Sequence, residues 1–212
     1  TNISSFAAGD LLYATGATTL AKLAKPASNK FLQNTSGGVL TWETVAGAVV
    51  QKKIIHDPTI GSFGSNTPAA YAPYNMTFTP TVTGNILQLD HMSYWSSRST
   101  QVGGYFYDSS NTVKIAIGNA EGSRQRLSFL MGTSNSNSWV HPMMNTAYYA
   151  APSTSAINFQ IFIGCHGNTT FYHNRNNQNS NNTDIDNART TGFFSITEYA
   201  STVYTGSGQG NA

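Results

Sequence analysis

Between residues 48 and 200 the apolar side chains fall at alternate positions, and clusters of Gly, Pro, Asn, Asp and Ser repeatedly interrupt them. That period belongs to half-buried strands, and nothing between the interruptions shows the three-to-four spacing of an amphipathic helix. Asn75-Met76-Thr77-Phe78-Thr79 alternates until Pro80, which ends or edges a strand. Gly84-Asn85 leads into Ile86–Trp95. Val102–Tyr107, a turn at Asp108-Ser109-Ser110-Asn111, and Thr112–Ile117 read as a hairpin, with Val113, Ile115 and Ile117 on one face and Lys114 on the other. Further strands fit Arg126–Met131, Trp139–Met144, Ile157–Cys165, Thr169–His173 and Gly192–Tyr199. A parallel sheet would need crossover helices that are missing, so the expectation is all-β: an antiparallel, jelly-roll-like β-sandwich.

Two flanking zones differ. Residues 1–47 are small, rich in Thr, Ala and Gly, and poor in aromatics. They are apolar enough to need burial but too short to enclose a core. Such a segment packs against another chain, or folds back on its own larger body. Leu20–Leu23, with Lys22 and Lys25, fits a helical turn or two before Pro26. Residues 201–212 end in Gly206-Ser207-Gly208-Gln209-Gly210-Asn211-Ala212 and read as a loose tail.

Charge narrows the function. Asp, Glu, Lys and Arg make up 9% of the 212 residues, against about 25% in an ordinary soluble domain. Asn, Ser, Thr, Gln and Gly solvate the surface instead, as suits a protein outside the cytoplasm or within an assembly, and suits contact with sugars. Net charge is +2 with no basic run, which gives nucleic-acid binding no support. No apolar run approaches the roughly 20 residues of a membrane span, so no membrane insertion is expected. The chain begins at Thr1, so the lack of a leader carries no message. The single cysteine, Cys165, shares a face with Phe159, Ile161 and Ile163 and reads as a buried thiol.

Catalytic and metal chemistry find little material. Asp184 and Asp186 would share a face if their segment were a strand, the arrangement of a glycosidase carboxylate pair, but the surrounding Asn run argues for a turn. No nucleophile elbow, His-Glu-x-x-His or phosphate loop occurs. None of the five histidines pairs at i, i+2 or i, i+4, although His166 and His173 flank a turn at Gly167-Asn168. Hydrogen-bonded imidazoles are the expectation, with no metal and no cofactor. Recognition is the better use of the residues. Trp95 and Arg98 lie where a strand runs into a polar loop, Trp139 and His141 follow a Ser/Asn loop, and Tyr148-Tyr149 precede Ala150-Ala151-Pro152. Arg175 and Asn177 belong to the Asn-rich excursion 173–182. Loop aromatics would offer flat apolar faces to sugar C–H groups, with amides and Arg bonding the hydroxyls.

Gly9-Asp10-Leu11-Leu12-Tyr13, then Thr19-Leu20-Ala21-Lys22-Leu23, Phe31-Leu32-Gln33 and Val39-Leu40-Thr41-Trp42, resemble a recurrent linker module of bacteriophage tail-fibre and appendage proteins. The region from Phe78-Thr79-Pro80 to Ile86-Leu87, and Phe193–Tyr199 near the end, resemble the β-rich knob of such fibres. The resemblance implies a homotrimeric tip in the virion, outside the cell, that adsorbs to a bacterial surface glycan or protein receptor and joins other virion proteins through its N-terminus. Leu11, Leu12, Leu20, Leu23, Leu32, Leu40 and Trp42 would then bury against their symmetry mates in a short intertwined neck. A purely structural virion protein, such as a capsid decoration or fibre joint, is the rival reading. A hydrolase of surface glycan is the third.

Overall fold

The computed structural model describes residues 5–27, 30–43, 47–97, 101–132, 140–165, 170–175, 189–200 and 209–211. The chain divides into two compact units, Thr1–Ala48 and Val49–Ala212. No helix occurs among the described residues, and none is therefore long and apolar enough to cross a membrane.

The first unit consists of two antiparallel hairpins. Strand β1 (Leu11–Gly16) pairs with β2 (Thr19–Leu23), and β3 (Phe31–Asn34) with β4 (Leu40–Glu43). Leu20–Leu23, expected as a helical turn, is strand, because Leu23 and Ala21 pair with Leu11 and Tyr13. Asp10 fastens the base of the first hairpin. Its carboxylate accepts the Ala7 N–H at 2.8 Å and the Lys25 N–H at 2.9 Å, and Lys22 Nζ stands 3.4 Å away. Those backbone bonds, the largest influence, hold its carboxyl below the usual range. Trp42 donates its indole N–H to the Ala24 carbonyl at 2.7 Å, tying the second hairpin to the first. A two-stranded ribbon has no interior, and apolar side chains lie on both faces of this one: Leu11, Tyr13 and Leu23 on one, Leu12 and Leu20 on the other. Leu11, Leu23, Leu40 and Trp42 are half-buried. Phe6, Leu12, Leu20, Phe31, Leu32 and Val39 are 44–62% exposed.

The second unit is a sandwich of two six-stranded antiparallel sheets, as the alternating pattern predicts. One sheet contains β7 (Ala69–Phe78), β9 (Gln101–Asp108), β10 (Val113–Ile115), β11 (Phe129–Gly132), β13 (Ile157–Cys165) and β16 (Gln209–Asn211), in the order β16-β10-β9-β13-β7, with β11 also on β9. The other contains β5 (Val49–Asp57), β6 (Gly61–Phe63), β8 (Ile86–Ser97), β12 (His141–Ala150), β14 (Phe171–His173) and β15 (Gly192–Tyr199), in the order β5-β15-β8-β14-β6, with β12 on the free side of β8. Residues 209–211, read as part of a loose tail, instead pair with β10 in register Val113↔Asn211. Strand β12 runs past Met144, the expected end, to Ala150, while Trp139, expected to open it, lies outside the described residues. Between the sheets, Leu87, Leu89 and Trp95 of β8 and Phe194 and Ile196 of β15 meet Tyr74, Met76, Phe106, Phe159 and Ile161, all essentially closed to solvent. Cys165 lies in this core as a buried thiol.

Two buried carboxylates hold the turns. Asp108 accepts the Asn111 N–H at 2.9 Å and its side-chain amide at 2.7 Å, which sets the β9–β10 turn. Glu198 is 0% exposed and gathers the turn before β8: Thr81 N–H and Oγ1–H, Asn85 Nδ2 and Gln51 Nε2 all donate to it. Burial alone would push its carboxyl up, but the donors from Gln51, Asn85 and Thr81 win and hold it below the usual range. At Gly104, where β9 runs between β11 and β13, a Cβ would collide with the Phe162 carbonyl oxygen and the Phe129 ring, so only glycine lets the strands approach.

Candidate functional site

Those of the residues singled out for receptor contact that are described do not share one surface. Trp95 is 0% exposed: its indole N–H donates to Ser93 Oγ, and its ring packs on Phe171 and His173 at 4.8 and 4.4 Å. It sits on the same parity of β8 as Leu87 and Leu89, which sends it into the core rather than the loop. Tyr149 is likewise 3% exposed, and its hydroxyl donates to Asp108 Oδ2 at 2.9 Å. Neither has a surface to offer a receptor. His141 is half-buried and Tyr148 exposed. The two are separated by about 23 Å of strand and lie on opposite faces of β12. Arg175 is half-buried, with its guanidinium 4.5 Å from the centre of the Tyr172 ring. Arg98, Trp139 and Asn177 lie outside the described residues, as do Asp184, Asp186 and His166.

A surface that the sequence reading missed lies on the outward face of the β10-β9-β13-β7 sheet. On β9, Val102, Phe106 and Asp108 face the core, so Gly103, Tyr105 and Tyr107 face outward. On β13, Phe159, Ile161 and Ile163 face inward, leaving Gln160 and Phe162 outward. The register then aligns Lys114, Tyr107, Gln160 and Asn75 in one row across four strands, with Tyr105 opposite Phe162 in the next. Tyr105 and Phe162 stack at 5.0 Å with 15° between their planes, and Tyr107 meets Phe162 edge-on at 4.9 Å. Lys114 Nζ lies 5.2 Å from the centre of the Tyr105 ring. Burial, and then the neighbouring Tyr107, pushes the Tyr105 phenol above its ordinary value, so it stays a neutral hydrogen-bonding group. The signal was legible: Tyr105-Phe106-Tyr107 places aromatics on both parities of one strand, and only one parity can be core.

Beside this face the segment between β10 and β11 folds back over the sheet. Ser128 Oγ–H donates to the Ile115 carbonyl at 2.6 Å, Ser128 N–H to Gly104 at 2.8 Å, and Arg126 Nε–H to Gly118 at 2.7 Å. Ala116 opens the segment with φ 53°, a left-handed turn that costs a non-glycine residue on the order of 1 kcal/mol. The result is a groove around Gln125 and Leu127. A cleft of about 480 Å³ lies toward Gln101 and Gly164, and a smaller recess of about 150 Å³ lies toward Tyr105 and Lys114. Gln125 anchors one wall by donating to the Asn66 carbonyl at 2.9 Å.

A second polar cluster lies wholly inside the sandwich. His173 Nδ1 is 3.1 Å from the Thr59 carbonyl, which can only accept, so the proton sits on Nδ1 and Nε2 accepts from the Tyr74 hydroxyl at 3.0 Å. Asp57 Oδ2 is 3.5 Å from Nδ1 and Tyr71 OH 2.8 Å. Asp, His and Tyr in contact resemble a proton relay, but His173 and Tyr74 are 0% exposed and Asp57 3%, so no substrate reaches them here. No group of three or more metal-ligating side chains exists among the described residues.

The sequence matches no protein-family model and no curated protein. Among solved structures it is similar to VP2 of infectious bursal disease virus in a subviral particle, at 8% identity over 89% of this chain and 46% of that one, with a TM-score of 0.31. Mutant VP2 in derived T=1 particles of that virus aligns at 10% identity over 90% and 45%, TM-score 0.26, and the virus's Gx strain at 10% over 87% and 44%, TM-score 0.27. This chain spans just under half the length of each. Similarity this weak gives this chain neither an ancestry nor a role.

Proposed function

We propose that the protein is the tip of a bacteriophage tail fibre or comparable virion appendage, a homotrimer outside the cell whose sandwich holds a bacterial surface receptor, a glycan. The observation that carries the binding role is the outward pair of half-buried rings, Tyr107 and Phe162, backed by a Tyr105 that is itself only 8% exposed and set among Gln160, Asn75 and Lys114 on a sheet whose other face is the core. Rigid aromatic faces with amides beside them suit the alternating C–H and hydroxyl surface of a pyranose. The trimer is supported by the first unit. The six large exposed apolar side chains among its described residues have no interior of their own, and burying each against symmetry mates would contribute roughly 1 kcal/mol or more. Three weak sites on one body would add avidity. The role is binding rather than catalysis, and the N-terminal end joins other virion proteins.

One observation favours the structural rival. The outward face of the other sheet also carries exposed apolar side chains, Met144 at 71% and Tyr148 on β12 and Ile54 three strands away, with the polar row Ser195, Asp90 and Thr146 between them, and a neighbouring subunit could seat there. Adsorption of labelled chain to a bacterial panel, with light scattering in parallel, separates the two. The variant Tyr107→Ala/Phe162→Ala is expected to reduce adsorption at least tenfold at unchanged assembly mass. Adsorption intact in that variant, together with mass lost in Ile54→Ser/Met144→Ser, would hand the protein to the structural reading.

A further inference from the structure

Resting on that binding role, we infer that the recess beside Tyr105 takes the carboxylate of an acidic sugar, a uronate or similar anionic pyranose. Seven residues line it: Thr67, Pro68, Tyr105, Lys114, Gln125, Arg126 and Leu127. Two are cations and none of the residues lining it is acidic, in a protein with only nine carboxylates to eleven Lys and Arg. Each cation has a contact of its own. Lys114 leaves β10 and lies over the Tyr105 ring at 5.2 Å, while Arg126 is fixed by its Nε–H bond to the Gly118 carbonyl. A planar carboxylate between them receives charge-assisted hydrogen bonds, and Gln125 and Thr67 supply polar groups for hydroxyls. The ring that carries the carboxylate would continue onto Phe162 and Tyr107, outside the recess, as the next residues of a polysaccharide. Two cations alone attract any anion weakly; the half-buried Phe162 and Tyr107 rings beside the recess are what select a sugar acid over a mere counterion.

The test compares a tetramer of galacturonate with the neutral galactose tetramer, titrated into the full chain by calorimetry at low and moderate salt. The expected result is binding of the uronate at least tenfold tighter than of the neutral sugar, weakening as salt rises. Lys114→Gln and Arg126→Gln should each erase most of that difference while melting like the parent. Equal affinity for the two tetramers, or a preference that survives both substitutions, overturns the acid-sugar assignment and leaves the glycan role standing. Polyglutamate binding as well as the uronate shows a non-specific anion site and overturns it too. Binding of neither tetramer, together with normal bacterial adsorption by Tyr107→Ala/Phe162→Ala, brings down both this inference and the aromatic-face reading.

Discussion

His91 sits on the core face of β8, edge-on to Tyr74 at 4.7 Å, with no exposed surface and with neither ring nitrogen bonded among the described residues. An unsatisfied buried polar group costs about 1–3 kcal/mol. Burial, and then the nearby His173, pushes the His91 imidazole down to about 3. Burial also lowers His173, although Asp57 and the Thr59 carbonyl pull it partly back. In an unfolded chain both would titrate near 6.5. As pH falls below that value the unfolded state takes up protons that the folded state refuses, so stability is full above about 6.5 and drains toward pH 3. The expected loss between pH 7.5 and pH 5 is about 2–4 kcal/mol, read as a falling melting temperature. His91→Phe, which removes the orphaned nitrogens at similar volume, should raise stability by about 1 kcal/mol and flatten part of that pH slope. A melting temperature unchanged in both pH dependence and height would refute this reading of the core. Gly104→Ala should act the other way, by about 2–4 kcal/mol, because backbone rather than a pliant side chain blocks the new methyl; chemical denaturation measures it.

At the scale of elements, Glu198 joins the last long strand to the turn that launches β8. Glu198→Ala would leave Thr81 N–H, Asn85 and Gln51 without their acceptor and should cost about 2–3 kcal/mol. Hydrogen exchange should show the loss first in residues 80–85. The strands legible in the sequence were those with strict alternation and polar turns: Ile157–Cys165 and Gly192–Tyr199 emerge with those bounds, and the Asp108–Asn111 turn closes on its own carboxylate. Strand β5 was hidden because Val49-Val50 and Ile54-Ile55 double its apolar positions and Lys52-Lys53 interrupts them. Lys53 bonds the Thr77 carbonyl at 2.8 Å, a tertiary contact that no local pattern announces. Trp95 was misplaced because His91 and Ser93 carry the buried parity of β8 through polar residues.

For the molecule as a whole, the first unit makes the sharpest demand. Deleting residues 1–47 is expected to leave the sandwich folded and reduce the assembly from trimer to monomer in light scattering. An unchanged mass would place the association elsewhere, on the Met144 face for instance. The motif that suggested a neck is accounted for in part by chemistry within one chain: Asp10 and Trp42 spend their polar atoms closing hairpins, while Leu12, Leu20, Phe31 and Leu32 keep their apolar ones outward. The sandwich has its own consequence for synthesis. Its first strand pairs only with its last long one, Val49 with Tyr199 and Asp57 with Gly192. On the ribosome, Val49–Asp57 therefore waits until Gly192–Tyr199 has been made before it finds a mate. Early termination upstream of Gly192 would release an adhesive ribbon, so products truncated there should accumulate in inclusion bodies while a chain that includes Gly192–Tyr199 stays in the supernatant.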